Sequence, residues 1–190
     1  MIESIISNDC IGGAVCHDLG MEFKSPTVNL QILPEEFPEF CADLKYYMEC
    51  PLVEYKAQSR EHRQYLVNMY GYIPEMPLGL IDDIMVCFQH YATFEEAAKK
   101  WNERKARIDY DNIGYIFHAR DKKYAADLVR FIDLKLPNSI GLTENHIIGY
   151  DVIPNIKSFF VPEGEDAYWP YNGKPRILSA CDFKSWREND

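Results

Sequence analysis

Residues 7–20 read SNDCIGGAVCHDLG and gather several residue types suited to chemistry at one corner. Ser7, Asn8 and Cys10 follow a short apolar strand pattern, Ile2 to Ile6, and precede Gly12 and Gly13 near the start of an expected helix over 13–19. Glycines at such a corner let backbone N–H groups approach a ligand at a helix N-terminus, which favours phosphate or carboxylate. The alternative is a tight turn that needs glycine only for its backbone angles. Neither a Gly-x-Gly-x-x-Gly pattern nor a Gly-Lys-Ser/Thr triplet is present to decide between them. Cys10 stands just before the helix, where the macrodipole lowers a thiol pKa and favours a thiolate nucleophile. His90 and His118, each following an apolar strand pattern, are the candidate bases for it. A half-buried structural thiol and hydrogen-bonded structural histidines are the competing readings.

Further candidates lie along the chain. Asp83 is a possible base or, with Asp82, a pair of carboxylates for a divalent cation, against the commoner use of acidic pairs as solvated or capping groups. Arg104 and Arg107 on one helix, and Arg120 after a strand, are candidate clamps for a charged ligand or leaving group. Tyr168, Trp169 and Tyr171 offer an aromatic platform or lid for a sugar, or simply pack a long loop. Metal ligation has little support: the six cysteines include no Cys-x-x-Cys, and Cys16-His17 is the only adjacent soft pair. No motif identifies a cofactor.

The elements that must position these residues alternate. After the first strand and helix, a β-branched stretch within 25–33 predicts a second strand, and Phe37, Phe40, Cys41, Leu44, Tyr47 and Met48 fall at helical spacing. Short strands are expected over 51–56 and 64–70. DDIMVCFQHY (82–91) is apolar on both alternating faces, as a central strand covered on both sides requires. Thr93 and Glu96 form a capping box for the helix over 92–108, and Asp121 caps the next. Strands follow over 138–144 and 156–161, then a long loop from 162 and a C-terminal tail to 190. Strands separated by amphipathic helices predict one α/β domain over 1–190, three-layered, with a mostly parallel or mixed sheet, helices on both faces and antiparallel edge strands near the C-terminus. In such sheets ligands lie beyond the carboxyl ends of the strands. If the strands ending at Asn8, Gln89 and His118 are parallel neighbours, Cys10, His90, His118 and Arg120 share one rim.

Composition narrows the partners. Thirty acidic residues against twenty basic ones give a net charge of −10, so nucleic acid and anionic membranes are repelled at long range. Two local basic groups, Arg104-Lys105-Arg107 and Arg120-Lys122-Lys123, leave room for a small anion. No stretch approaches the roughly 20 apolar residues of a membrane span, and the opening Met-Ile-Glu-Ser lacks a basic region before an apolar core. A soluble, cytoplasmic protein is expected, its thiols reduced; the oligomeric state stays open.

Three quoted stretches carry a family likeness. IISNDCIGGAVCHDLGMEFKSPTVNL, FCADLKYYME and MPLGLIDDIMVCFQHYATFEEAAKKWNERKARIDYDNI, in that order, resemble the bacterial family catalogued as domain of unknown function 1919 over about residues 2–160. The chain has Asp9 where that family more typically has asparagine and Ile11 where it often has tryptophan, and it departs most after Phe117. Family members are often labelled exopolysaccharide or capsule biosynthesis proteins. Joined to the polar rim at the strand ends, that association leads to the expectation of an enzyme of polysaccharide assembly, most simply a transferase acting on a nucleotide sugar or another phosphorylated small molecule. In that reading the turn 8–13 holds the donor's phosphates, His90 or Asp83 is the base, and Arg104 or Arg107 neutralises the leaving group. Acyl or other group transfer through Cys10, and a non-catalytic scaffold of the same machinery, are the alternatives.

Overall fold

In the computed structural model, which describes residues 1–56, 64, 67, 68, 76–145, 147, 149, 150, 152–168, 170, 171 and 173–188, the first strand β1 (Ser4–Ser7) runs into α1 (Ile11–Asp18) through three residues. The stripe expected over 34–50 forms two short helices, α2 (Phe37–Ala42) and α3 (Leu44–Glu49). Asp43 leaves helical geometry between them, at φ −130° and ψ 50°. Four strands follow or precede them: β2 (Gln31–Ile32), β3 (Leu52–Glu54), β4 (Leu78–Ile81) and β5 (Ile84–Cys87). Of the strand expected over 64–70, only Gln64, Val67 and Asn68 are described, and these are helical; the rest lies outside the described residues.

The helix α4 (Phe94–Lys105) begins where its capping box places it, with the Thr93 side chain accepting the Glu96 N–H at 3.2 Å. After β6 (Ile113–Ala119), Asp121 Oδ1 accepts the Lys123 N–H at 2.8 Å and starts a single 3₁₀ turn that leads into α5 (Ala125–Asp133). Then come β7 (Ser139–Glu144), β8 (Ile156–Phe159), a two-residue hairpin of β9 (Pro170–Tyr171) with β10 (Lys174–Pro175), and α6 (Phe183–Glu188). Among the described residues no helix is long and apolar enough to cross a membrane.

The fold is α/β, with a four-stranded parallel sheet of order β1-β6-β7-β8 and a separate antiparallel sheet of order β2-β5-β4-β3. The second sheet corrects one expectation: β5 is not a parallel neighbour of β1. The reason is local. Ile81 and Ile84 pair across a two-residue link whose first member, Asp82, sits at φ 55°. So short a link allows only an antiparallel partner in β4, because a parallel crossover needs a dozen or more residues, and the other edge of β5 is taken by β2, so neither edge is left for β1.

Side chains of β6 alternate between two cores, as the period of two requires. Ile113, Tyr115, Phe117 and Ala119 pack with Phe37, Phe40, Phe131 and Trp101, from α2, α5 and α4. Ile116 faces the other way, with Ile5, Ile11 and Val15 from β1 and α1 and Phe183 from α6. Helices thus cover both faces of the parallel sheet, giving three layers.

Glu36, at the entrance to α2, reaches the antiparallel sheet, where its Oε2 accepts the Met85 N–H at 2.7 Å. Burial pushes its carboxyl from 4.5 up to about 7, against the lowering effect of that hydrogen bond. The folded state therefore holds a proton that the unfolded chain releases, and the protein loses stability as pH rises from 4.5 through 7. Glu36→Gln is expected to unfold about 1–2 kcal/mol later than wild type at pH 8 and to match it near pH 4.5, as urea midpoints at the two pH values would show. A difference that does not vary with pH would refute the assignment.

Candidate active site

Beyond Ser7 the main-chain ladder between β1 and β6 runs out, and Asn8 continues it with its side chain. Its Oδ1 accepts the His118 N–H at 2.8 Å and its Nδ2 donates to the His118 carbonyl at 3.1 Å. Ser7 closes the corner: its hydroxyl donates to the Asp9 carbonyl at 2.7 Å and accepts the Gly12 N–H at 3.1 Å. The glycines serve close packing. A Cβ on Gly12 would stand 2.6 Å from Ser7 Oγ, and one on Gly13 3.1 Å from Val28 Cγ1, so α1 lies tight against β1 and the segment before β2.

Nor is the α1 N-terminus open to a phosphate. Asp9 Oδ1 accepts the Ile11 N–H at 3.1 Å, and Ser7 takes that of Gly12. The anion favoured by the helix dipole is the Asp9 carboxylate itself.

Asp9 anchors a buried charge network. Its Oδ2 is 2.7 Å from His118 Nδ1, its Oδ1 accepts the Tyr168 hydroxyl at 2.7 Å, and His118 is wholly buried. Glu144, the last residue of β7, brings Oε1 to 3.3 Å from His118 Nε2, close but outside hydrogen-bond alignment. Burial disfavours charge on both main partners, yet attraction wins. The Asp9 carboxyl is held below its ordinary range by the imidazolium, with Arg120 and the Tyr168 hydroxyl adding to it. In turn His118 is raised by Asp9 and Glu144. It is therefore held toward its protonated form and tied to its carboxylates rather than free to act as a base. Burial, and then the Asp9 carboxylate, push the Tyr168 phenol well up, so Tyr168 acts as a donor.

Arg120, just past β6, stands 3.2 Å from Asp166 Oδ2 and 3.8 Å from Glu144 Oε1, with its guanidinium 5.4 Å above the Tyr168 ring. It divides two adjoining hollows. One, of about 310 Å³, is lined by Asn8, Asp9, Gln31, His118, Arg120, Lys123 and Glu144 among others. The second, of about 340 Å³, is lined by Asp9, Cys10, Gln89, His90, Arg120 and Tyr168. Both open beyond the carboxyl ends of β1, β6 and β7, where open parallel sheets bind ligands.

His90 reaches this rim from the antiparallel sheet. Ile32 of β2 donates its N–H to the Asn8 carbonyl at 2.9 Å, and Gln31 pairs with Cys87, so the residues after β5 are delivered beside the first corner. The Cys10 Sγ lies 3.4 Å from His90 Nε2 and 3.5 Å from Gln89 Oε1. Burial, and then the neighbouring Asp9 carboxylate, push the Cys10 thiol up to about 12, the reverse of the expected dipole effect. All six cysteines are free.

Other candidates are placed elsewhere. Asp83 sits at the start of β5, the end opposite His90, and accepts the Tyr47 hydroxyl at 3.1 Å; Asp82 accepts that of Tyr46 at 2.7 Å. Arg104 donates to the Val28 carbonyl and the Tyr91 hydroxyl, and Arg107 pairs with Glu22; neither lines the two hollows. Among the described residues no group of three or more His, Cys, Asp and Glu is placed to hold a metal. Trp169 and the side chain of Tyr171 lie outside the described residues. In the sequence, Asp9 and Gln89 are noted only as strand ends and Lys123 only in a basic group; Glu144 is not singled out. Glu144 ends a predicted strand, so the strand-end rule that selected His118 also selects it.

Fold and site together define an α/β protein with a charged crevice at the carboxyl ends of a parallel sheet. The chain belongs to the family described as Domain of unknown function (DUF1919), whose model matches residues 2–167, including the stretch after Phe117 that carries His118, Arg120 and Glu144. It is also similar to an uncharacterized protein of Haemophilus influenzae, 27% identical over 156 residues, which is 82% of this chain and 68% of that protein.

Proposed function

We propose that the chain is an enzyme of cell-surface polysaccharide assembly that transfers a group to or from a sugar held in the double crevice, with a nucleotide sugar as the simplest donor. One observation carries this reading: Asp9, Cys10, His90, His118, Arg120 and Glu144, scattered over the sequence, line two adjoining hollows that share Asp9 and Arg120. Each hollow is within the size of small-ligand sites. His90, exposed and not locked between carboxylates, is the general base. Arg120 and Lys123, rather than the occupied α1 N-terminus, meet the donor's phosphates. A polar crevice at the strand ends supports catalysis over a scaffold role. The polysaccharide context comes from the family labels.

A panel of nucleotide sugars, with and without magnesium or manganese, is expected to raise the melting temperature for at least one donor, and Arg120→Gln to abolish the shift. No shift with any donor would remove this reading.

The 3.4 Å contact of Cys10 with His90 favours a second reading, acyl transfer through Cys10. With its thiol pushed up to about 12, Cys10 is no standing thiolate and must pass its proton to His90 Nε2 as it attacks. Peptide-mapped alkylation of Cys10 should then slow further in His90→Ala; an unchanged rate would eliminate the pair.

A further inference from the structure

Arg104 lies in a separate cleft of about 350 Å³ between α4 and the segment after α1, with Glu22, Phe23, Lys100, Glu103 and Arg107. One end of its fork is fixed. The Nη1 group donates to the Val28 carbonyl at 3.1 Å and the Tyr91 hydroxyl at 2.8 Å, and the guanidinium sits 5.5 Å over the Phe23 ring. The other end is open: among the described residues no acceptor meets Nε or Nη2, and no carboxylate pairs with Arg104. Its neighbours are paired, Lys100 with Glu103 at 3.0 Å and Arg107 with Glu22 at 3.4 Å.

A guanidinium held rigid at one nitrogen, with its Nε–Nη2 side free, is organised in advance for the two oxygens of a carboxylate or phosphate. Three cations against two anions leave the cleft locally positive in a chain of net charge −10. Exposed ion pairs are weak, so Lys100 and Arg107 turn from their carboxylates to a ligand at little cost.

We propose that this cleft is a second ligand site that takes a two-oxygen oxyanion on Arg104, with Phe23 covering one side and Lys100 and Arg107 closing on the remaining oxygens. The anion is a free phosphate or the carboxylate of an acidic sugar. Tyr91, which accepts from Arg104, directly follows His90, so the site is tied to the crevice through one residue. The proposal does not depend on the reaction assigned to the crevice.

Calorimetric titration of the full chain at low ionic strength tests it, with inorganic phosphate, glucuronate and, as a neutral control, glucose. With Arg120→Gln and Lys123→Gln as the common background, which strips the crevice of the side chains assigned to phosphates, saturable binding of phosphate or of glucuronate is expected, at least tenfold weaker when Arg104→Lys is added and severalfold weaker when Arg107→Gln is added. Phosphate alone identifies a phosphate site and glucuronate alone an acidic-sugar site; both support the cleft. If Arg104→Lys does not fold, Arg107→Gln, an exposed position, carries the comparison. Absence of saturation with either anion in that background overturns the proposal, as does binding there that survives both cleft substitutions.

Discussion

Asp9→Ala is expected to lower the unfolding free energy by about 3–5 kcal/mol, the usual cost of removing one partner from a buried ion pair. The loss leaves the His118 imidazolium facing only the misaligned Glu144, and strips the Ile11 N–H and the Tyr168 hydroxyl of their acceptor. Urea denaturation of Asp9→Ala, His118→Gln and the double variant separates the pair from its surroundings. A coupling of about 0.5–3 kcal/mol is expected, and strict additivity would show that the two groups do not interact.

The pH dependence fixes the sign. Asp9 is held below its ordinary 3.8, so its stabilisation is present above 3.8 and is lost as pH falls through the lower folded value. His118 is raised above 6.5, so its share is complete below 6.5 and fades as pH rises through the higher folded value. The pair therefore stabilises most between 3.8 and 6.5, and the cost of Asp9→Ala should shrink in alkaline solution as His118 becomes neutral. A cost that grows with pH would mean that His118 is neutral in the native protein.

Local rules made much of the fold legible. Thr93 with Glu96, Asp121 before its helix, and the apolar stretches that become β6 and β7 all act within a few residues. What stayed hidden was partnership. The apolar run 84–88 within DDIMVCFQHY specifies a covered strand but not its direction, and only the two-residue link at Asp82-Asp83 signals an antiparallel neighbour. The site divides the same way. Cys10 and His90 are recognisable by residue type, whereas the charge of His118 depends on Asp9, which is 109 residues away. Gly12 and Gly13 were ambiguous because close helix–strand packing and anion binding demand the same missing side chain.

Trp101→Ala is expected to cost about 3–5 kcal/mol, the range for deleting a large aromatic from a core, and to disturb the site from behind. The indole is buried and meets Phe88 edge-on at a centroid distance of 6.4 Å; Phe88 in turn meets Tyr91 at 5.8 Å and Phe94 at 6.2 Å. This stack seats α4 under the turn 88–91, which carries Gln89 and His90 to Cys10. With the indole gone, that turn loses its floor, while the face of the parallel sheet covered by α1 keeps its separate core of Ile5, Ile11, Val15 and Ile116. Cys10 should then be alkylated faster at temperatures where the variant remains folded, and Trp101→Phe should show a smaller change. Cys41, on α2 and buried in the same core as Trp101, reports opening of that core and is the internal reference. A rise for Cys10 alone means that the turn has opened; equal rises for Cys10 and Cys41 mean that Trp101 stabilises the whole molecule without specifically holding His90 in place.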